Sequence, residues 1–187
     1  MLGVTYMIGV SGQGKAVNAL NQIYTDIMAG TSVVVIDPYG DRIAEIKNYV
    51  EHTPPLHILE YTVDASGKEK NMRNRQAAYK ELTHMDRDQQ KIVLINLNVK
   101  AIGRYQSHDL GCQIVHDLWK HLAKSPMAIY IDEASAYLDD ASIALLGGLR
   151  KQHIKCVLLD ESLDGYSHDQ AKALFAAVRH LVCYKST

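Results

Sequence analysis

The chain has 187 residues, of which 47% are hydrophobic and 22% charged, and its formal net charge is −1. These values are ordinary for a globular protein and suit one domain with a sizeable core. The charge balance gives no basic signal over the whole chain, so composition does not indicate nucleic-acid binding, which would need a local patch or a ring of subunits.

Cysteine and histidine spacing argues against structural metal or disulfide chemistry. The three cysteines, Cys112, Cys156 and Cys183, are far apart, which fits a reducing compartment. His116 and His121 lie five residues apart, not the four that share a helix face, so no zinc site is expected. No apolar run approaches the roughly 18 residues of a membrane span. We therefore expect a cytoplasmic protein with no transmembrane segment of its own.

Apolar runs of strand length alternate with helical patterns along the chain. The predicted strands are Val4–Val10, Ser32–Ile36, Leu56–Tyr61, Ile92–Leu97, Met127–Ile131, Lys155–Leu159 and His180–Tyr184. The predicted helices are Ala16–Met28, Arg42–Val50, Ser135–Leu138, Ser142–Leu149, Ser167–Val178 and one with the stripe Leu110, Ile114, Leu118 and Leu122. Since several strands are uniformly apolar, this order predicts an α/β fold with a mostly parallel sheet covered on both faces. Trp119 is expected to pack in the core.

The stretch from about 64 to 90 is polar and charged, and it is predicted to be a loop or a helical insertion. No linker long enough to divide the chain is present, so residues 1–187 are expected to form a single domain.

A glycine-rich loop joins the first predicted strand to the first predicted helix. It reads Gly9-Val10-Ser11-Gly12-Gln13-Gly14-Lys15-Ala16. Strand, glycine loop, lysine and helix are the arrangement of a phosphate-binding loop, in which backbone N–H groups cradle phosphate oxygens and the lysine reaches the terminal phosphates. The pattern has Ser or Thr at its last position, where the hydroxyl binds Mg²⁺, but this chain has Ala16.

The fifth predicted strand ends in two carboxylates, Asp132 and Glu133. Alone this pair is a weak signal, because a helix N-terminus also favours acidic residues. Together with the phosphate loop it predicts that Asp132 organises Mg²⁺ and that Glu133 polarises the water that attacks the γ-phosphate of ATP.

The second predicted strand ends in Asp37-Pro38-Tyr39-Gly40-Asp41, which alone would be a turn. After a phosphate loop, "VVVIDPYGD" resembles the FtsK–HerA superfamily of P-loop ATPases, and within it the coupling and assembly ATPases of type IV secretion and conjugation. Four later segments resemble the same family in the same order: "INLN" (95–98), "AIYIDEASAYL" (128–138), "LRKQHIKCVLLDES" (149–162) and "ALFAAVRHLVCYK" (173–185).

This resemblance implies a P-loop NTPase (RecA-like) fold, a three-layer α/β/α sandwich. It also implies a ring, usually a hexamer, with ATP and Mg²⁺ between subunits and DNA or a protein substrate passing through the centre. Asp37 would belong to the nucleotide site, and Arg150 would reach a neighbour's γ-phosphate, an effect worth about 10³–10⁵ in rate. Coupling proteins usually carry N-terminal transmembrane helices and an extra helical domain, whereas this sequence starts about one strand before the loop. A motor core alone is therefore expected, either as a minimal protein or as an excised domain.

Three residues depart from the family pattern. Ala16 lacks the metal-binding hydroxyl, and His153 replaces a glycine. Glu161 stands where the family has a catalytic glutamine, which reads the γ-phosphate or its water. A carboxylate at position 161 would repel phosphate unless it is protonated or paired, and Arg150 or Lys151 is the expected partner. The alternatives are therefore an active motor domain and a degenerate, non-hydrolysing subunit with a structural or regulatory role. A nucleotide kinase is disfavoured.

Overall fold

The structure is a computed structural model that describes residues 2–51, 57–63, 90–121 and 127–184. The predicted insertion at about 64–90 lies outside these residues except for Gln90, and so does Leu122 of the predicted helical stripe.

The described residues contain seven strands and six α-helices. The strands are β1 (Gly3–Ile8), β2 (Ser32–Asp37), β3 (His57–Thr62), β4 (Lys91–Asn96), β5 (Met127–Asp132), β6 (Ile154–Asp160) and β7 (Val178–Cys183). The helices are α1 (Lys15–Met28), α2 (Asp41–Val50), α3 (Val99–Ile102), α4 (Arg104–His121), α5 (Asp140–Leu146) and α6 (His168–Ala177). Short 3-10 turns cover Ala134–Ala136 and Leu149–Gln152.

The seven strands form one sheet in the order β3-β4-β2-β5-β6-β1-β7, and every pairing is parallel. Strand β2 is buried along its whole length, as expected for a strand covered on both faces. The predicted three-layer α/β/α sandwich is therefore confirmed.

Two apolar layers hold the helices against the sheet. One face packs against α1 and α2, through residues such as Ile23 and Ile46. The other packs against α4, α5 and α6, where Ile114 and Leu118 of the predicted stripe are buried together with Trp119. The predicted core position of Trp119 is confirmed, since only 7% of its surface is exposed.

Element boundaries differ from the predictions by a few residues. Strand β1 ends at Ile8 because the loop turns away at Gly9. Strand β7 begins at Val178, not at His180, because α6 passes into it without a loop. A capping box between Ser167 and Gln170 begins α6.

Since all strands run in one direction, their carboxyl ends meet at one edge of the sheet, where parallel α/β sheets bind ligands. The glycine loop, Asp132 and Asp160 follow or end three neighbouring strands at this edge. Arg150 does not: it precedes β6 and packs beside Gly3 at the start of β1. The sequence motifs would all be expected at this carboxyl edge, since parallel sheets bind ligands there, but for Arg150 that expectation is wrong. Within the described part of the chain, no helix is both long and apolar enough to cross a membrane.

Candidate nucleotide site

The glycine loop runs from β1 to the first turn of α1. Gly12 and Gly14 both have φ of +85°, a left-handed conformation that side chains other than glycine rarely adopt, and Gly14 is the N-cap of α1. The carbonyl of Gly14 accepts the amide of Asn18 at 2.8 Å, so the amides of the residues between them lie before the first intrahelical bond. These amides and the positive end of the helix dipole suit a phosphate group. Gln13 lies in this loop and Ala16 in the first turn of α1, and contact of either residue with nucleotide stays a prediction.

Gly9 lets the chain pass close to β7. Its amide donates to the carbonyl oxygen of Asp160 at 3.2 Å, and the amide of Tyr184 donates to the carbonyl of Ile8 at 2.8 Å. A Cβ atom at Gly9 would lie 2.6 Å from the Tyr184 carbonyl oxygen, so any side chain would push β7 away. Gly9 thus shapes the base of the loop.

Lys15 is folded against the end of β6. Its side chain is buried, and its Nζ donates to the carbonyl oxygen of Asp160 at 2.7 Å. Burial lowers the pKa of Lys15, while the negative charges of Asp132 and Glu161 oppose that effect. The Lys15 ammonium is partly desolvated and is bonded to a carbonyl oxygen near two carboxylates. It can therefore exchange that hydrogen bond for one to a phosphate oxygen.

Asp132 and Glu133, at the end of β5, lie in different surroundings. Asp132 is bonded to the guanidinium of Arg42; burial raises the Asp132 pKa, and Arg42 opposes this. Glu133 has φ of +49°, a strained backbone conformation that turns the chain sharply at this point. Burial and the Asp132 charge raise the pKa of Glu133, and Arg104 and Tyr39 oppose the rise. A carboxylate of raised pKa is a better proton acceptor, as a general base requires.

Asp37 acts on the turn that follows it. Its carboxylate accepts the amides of Tyr39 at 3.0 Å, Arg42 at 2.9 Å and Ile43 at 3.2 Å, and the residue is 1% exposed. Both oxygens are therefore engaged in fixing the first turn of α2. The turn interpretation of this segment describes the local structure, and Asp37 positions Arg42; direct contact of Asp37 with nucleotide stays a prediction.

Glu161 contacts the glycine loop. The hydroxyl of Ser11 donates to its carboxylate, so the end of β6 and the loop are joined by their side chains. The expected pairing of Glu161 with Arg150 or Lys151 is wrong, because the seven residues of β6 separate them, a distance of about 20 Å. His153 has φ of +59°, which explains why glycine suits that position better.

Asp160 is a central residue that the sequence analysis did not single out. Its carboxylate accepts the amide of Ser135 at 2.9 Å and the hydroxyl of Tyr166 at 3.1 Å, while its carbonyl accepts Lys15. Burial raises the Asp160 pKa, and these hydrogen bonds oppose the rise. Asp160 therefore links the lysine of the loop to the residues that follow Glu133.

A cleft of about 370 Å³ opens beside the two glutamates at this edge. Its lining includes Tyr39, Arg104, His108, Glu133 and Glu161. The cleft gives the carboxylate of Glu133 access to water and to any group that approaches from outside the chain.

Comparison with solved structures identifies the fold. The genome packaging NTPase B204 from Sulfolobus turreted icosahedral virus 2, solved with ATP-gammaS, is 11% identical with a TM-score of 0.57; the match covers 99% of this chain and 75% of that chain. The bacterial conjugative coupling protein TrwBdeltaN70 is 13% identical with a TM-score of 0.60, over 95% of this chain and 67% of that chain. The chain has a P-loop NTPase fold. The fold that the resemblance implies is thereby confirmed. No protein-family model and no curated protein sequence matches the chain.

The P-loop NTPase fold normally places Mg²⁺ between a loop hydroxyl and the aspartate at the end of the acidic strand. Here the side chain of Ala16 offers no oxygen and Asp132 is paired with Arg42. Within the described ranges, no group of three or more His, Cys, Asp or Glu side chains could hold a metal ion. The side chains as arranged do not fit Mg²⁺, and the expected role of Asp132 as its ligand is not supported.

Proposed function

We propose that this chain is an ATP-hydrolysing motor domain. The observation that supports this most strongly is the placement of Lys15 and Glu133 at one sheet edge with a single strand, β6, between the strands that carry them. Two interstrand spacings separate β1 from β5, about 10 Å, which leaves room for a terminal phosphate and a water molecule between lysine and carboxylate. The similar solved structures include a genome packaging NTPase with ATP-gammaS and a conjugative coupling protein.

Each group in the site would have one role in ATP hydrolysis. The loop amides and Lys15 hold the phosphate chain, and Lys15 gives up its bond to the Asp160 carbonyl to do so. Glu133 accepts a proton from a water molecule whose oxygen attacks the γ-phosphorus. The bond between the γ-phosphorus and the β–γ bridging oxygen breaks, and ADP and inorganic phosphate leave.

The position of Arg150 supports action between subunits. It is exposed and lies at the amino edge of the sheet, the length of β6 away from its own loop. An arginine there can reach only the nucleotide of another molecule, as an arginine finger supplied in trans does. We infer a ring of subunits, hexameric by the family resemblance, that moves DNA or another macromolecule in packaging, conjugation or secretion.

ATP turnover by the purified chain, with Mg²⁺ present and with and without DNA, tests the enzymatic proposal. We expect Lys15→Ala to abolish turnover and Glu133→Gln to lower it about 10²- to 10⁴-fold while ATP still binds. Lys172→Ala removes an exposed lysine on the opposite face of the sheet and is the matched control, expected to leave turnover unchanged. ATP binding without turnover in the unaltered chain would favour the non-hydrolysing alternative.

Mixing two inactive variants tests the ring. Lys15→Ala subunits retain Arg150, and Arg150→Ala subunits retain the loop lysine, so each supplies what the other lacks at a shared interface. We expect turnover to return on mixing and light scattering to show a hexamer with nucleotide. Full turnover by Arg150→Ala alone would contradict the assignment of Arg150.

A further inference from the structure

A mostly buried ion pair lies where the P-loop fold normally holds its metal. Nη1 of Arg42 bonds to Oδ2 of Asp132, and the two side chains are only 15% and 13% exposed. Because both partners are largely shielded from water, their attraction is screened far less than that of a surface pair. Arg42 comes from α2 and Asp132 from β5, so the pair ties two elements together at the carboxyl edge of the sheet.

A backbone hydrogen bond fixes the position of Arg42 in the first turn of α2. Its amide donates to Asp37 at 2.9 Å, and Asp37 is itself buried at the end of β2. Helix α2 packs on the same face of the sheet as α1, which begins with Lys15. The partner of Arg42, Asp132, ends β5, two strands from β1, which leads into the loop with Lys15, and the charges of Arg42 and Asp132 shift the pKa of Lys15 in opposite directions. Arg42 thus belongs to the phosphate end of the site.

One hydrogen-bond donor of the Arg42 guanidinium is unused. Its Nε is buried and has no hydrogen-bond partner among the described residues. A buried donor without an acceptor is costly, and a movement of the Arg42 side chain that exposes Nε to a phosphate oxygen would satisfy it. The planar fork of donors on arginine can bond a carboxylate and a phosphate oxygen together, which an ammonium group cannot do with the same geometry.

The same arrangement is unfavourable for a divalent cation. A Mg²⁺ ion beside Asp132 would lie near two positive side chains, would find a carboxylate already neutralised, and would have no hydroxyl from Ala16. We propose that Arg42 takes the place of Mg²⁺ at Asp132, and that Arg42 and Lys15 together donate hydrogen bonds to the phosphates of a nucleoside triphosphate that binds without a divalent cation. This inference rests on the proposed function, since it concerns nucleotide at the same loop.

Affinity for a fluorescent ATP analogue, measured by anisotropy in excess Mg²⁺ and in EDTA, tests the proposal on the unaltered chain. We expect the two dissociation constants to agree within about threefold. In Arg42→Gln, Asp132 is freed and a positive charge is lost, so affinity in EDTA should fall at least about tenfold, or 1.4 kcal/mol, and Mg²⁺ should restore most of it. Arg179→Gln, an exposed arginine on β7, is the matched control and should behave like the unaltered chain.

Mn²⁺ provides a readout that does not depend on affinity for the nucleotide. With the analogue bound, electron paramagnetic resonance should show extra immobilised Mn²⁺ on Arg42→Gln and little on the unaltered chain. Arg42→Lys, which keeps the charge but not the fork, should lie between them and guards against misfolding of the glutamine variant. Binding of the analogue that depends on Mg²⁺ in the unaltered chain, with no effect of Arg42→Gln, would overturn the inference and leave the proposed function standing. No binding under either condition would overturn both.

Discussion

Removal of Asp26 should destabilise the protein strongly. Asp26 lies near the end of α1, where its Oδ2 accepts the Tyr130 hydroxyl at 2.5 Å and the Lys155 ammonium at 2.8 Å. Lys155 also donates to the Tyr130 oxygen at 2.8 Å. The three residues come from α1, β5 and β6, so they tether the helix of the glycine loop to the strands that end in Asp132 and Asp160.

The magnitude follows from burial. The side chains of Lys155 and Asp26 are 14% and 17% exposed, so an ammonium left without its carboxylate would be poorly solvated. Breaking a fully buried ion pair by removing one partner costs about 3–5 kcal/mol, and a hydrogen bond to a charged group contributes about 1.5–3 kcal/mol. With part of each side chain in contact with water, Asp26→Ala should lower the free energy of unfolding by about 3 kcal/mol. In a chain of this size that lowers Tm by about 6–12 °C.

Urea denaturation of Asp26→Ala, Lys155→Met and the double variant provides the assay. The double variant carries no unpaired charge, so its loss should be smaller than the sum of the single losses by at least about 1.5 kcal/mol. A loss below about 1 kcal/mol for Asp26→Ala, or strictly additive losses, would refute the reasoning.

Three further predictions concern Glu161, His153 and Cys156. Glu161→Gln removes a negative charge beside the glycine loop and should tighten ATP binding by roughly two- to fivefold in calorimetry; unchanged or weaker binding would contradict this. His153→Gly should raise the free energy of unfolding by up to about 1 kcal/mol because it relieves a left-handed backbone, and a loss in urea denaturation would argue against that strain. Burial raises the pKa of the Cys156 thiol, so at pH 8 a thiol reagent should modify exposed Cys183 rapidly and Cys156 only after unfolding. Rapid labelling of Cys156, located by mass spectrometry of peptides, would disprove its burial.

Much of the fold could be predicted from the sequence because parallel strands buried on both faces appear as uniform apolar runs. For β5, for example, the predicted range Met127–Ile131 is one residue shorter than the observed strand, which ends at Asp132. Once the strands are known to be parallel, Lys15 and Glu133 must share an edge of the sheet. The same logic applied to Arg150 would have placed it at the opposite edge, since it precedes its strand.

The contacts between side chains of distant segments could not be predicted in this way. Arg42 and Asp132 are brought together by the packing of α2 on the sheet, and a single arginine after a turn looks like any solvated helix residue. Asp160 did leave a signal: it ends an apolar strand, as Asp37 and Asp132 do, and a carboxylate at the end of a buried strand is costly without partners. The contact of Ser11 with Glu161 depends on the shape of the loop and left no signal in either segment.

A crystal structure with a non-hydrolysable ATP analogue tests the central claim most directly. The account predicts the triphosphate across the N-terminus of α1, with Lys15 Nζ moved from the Asp160 carbonyl to the terminal phosphates and Glu133 facing the γ-phosphate. A saturated complex in which the analogue lies elsewhere and Lys15 still contacts Asp160 would contradict it.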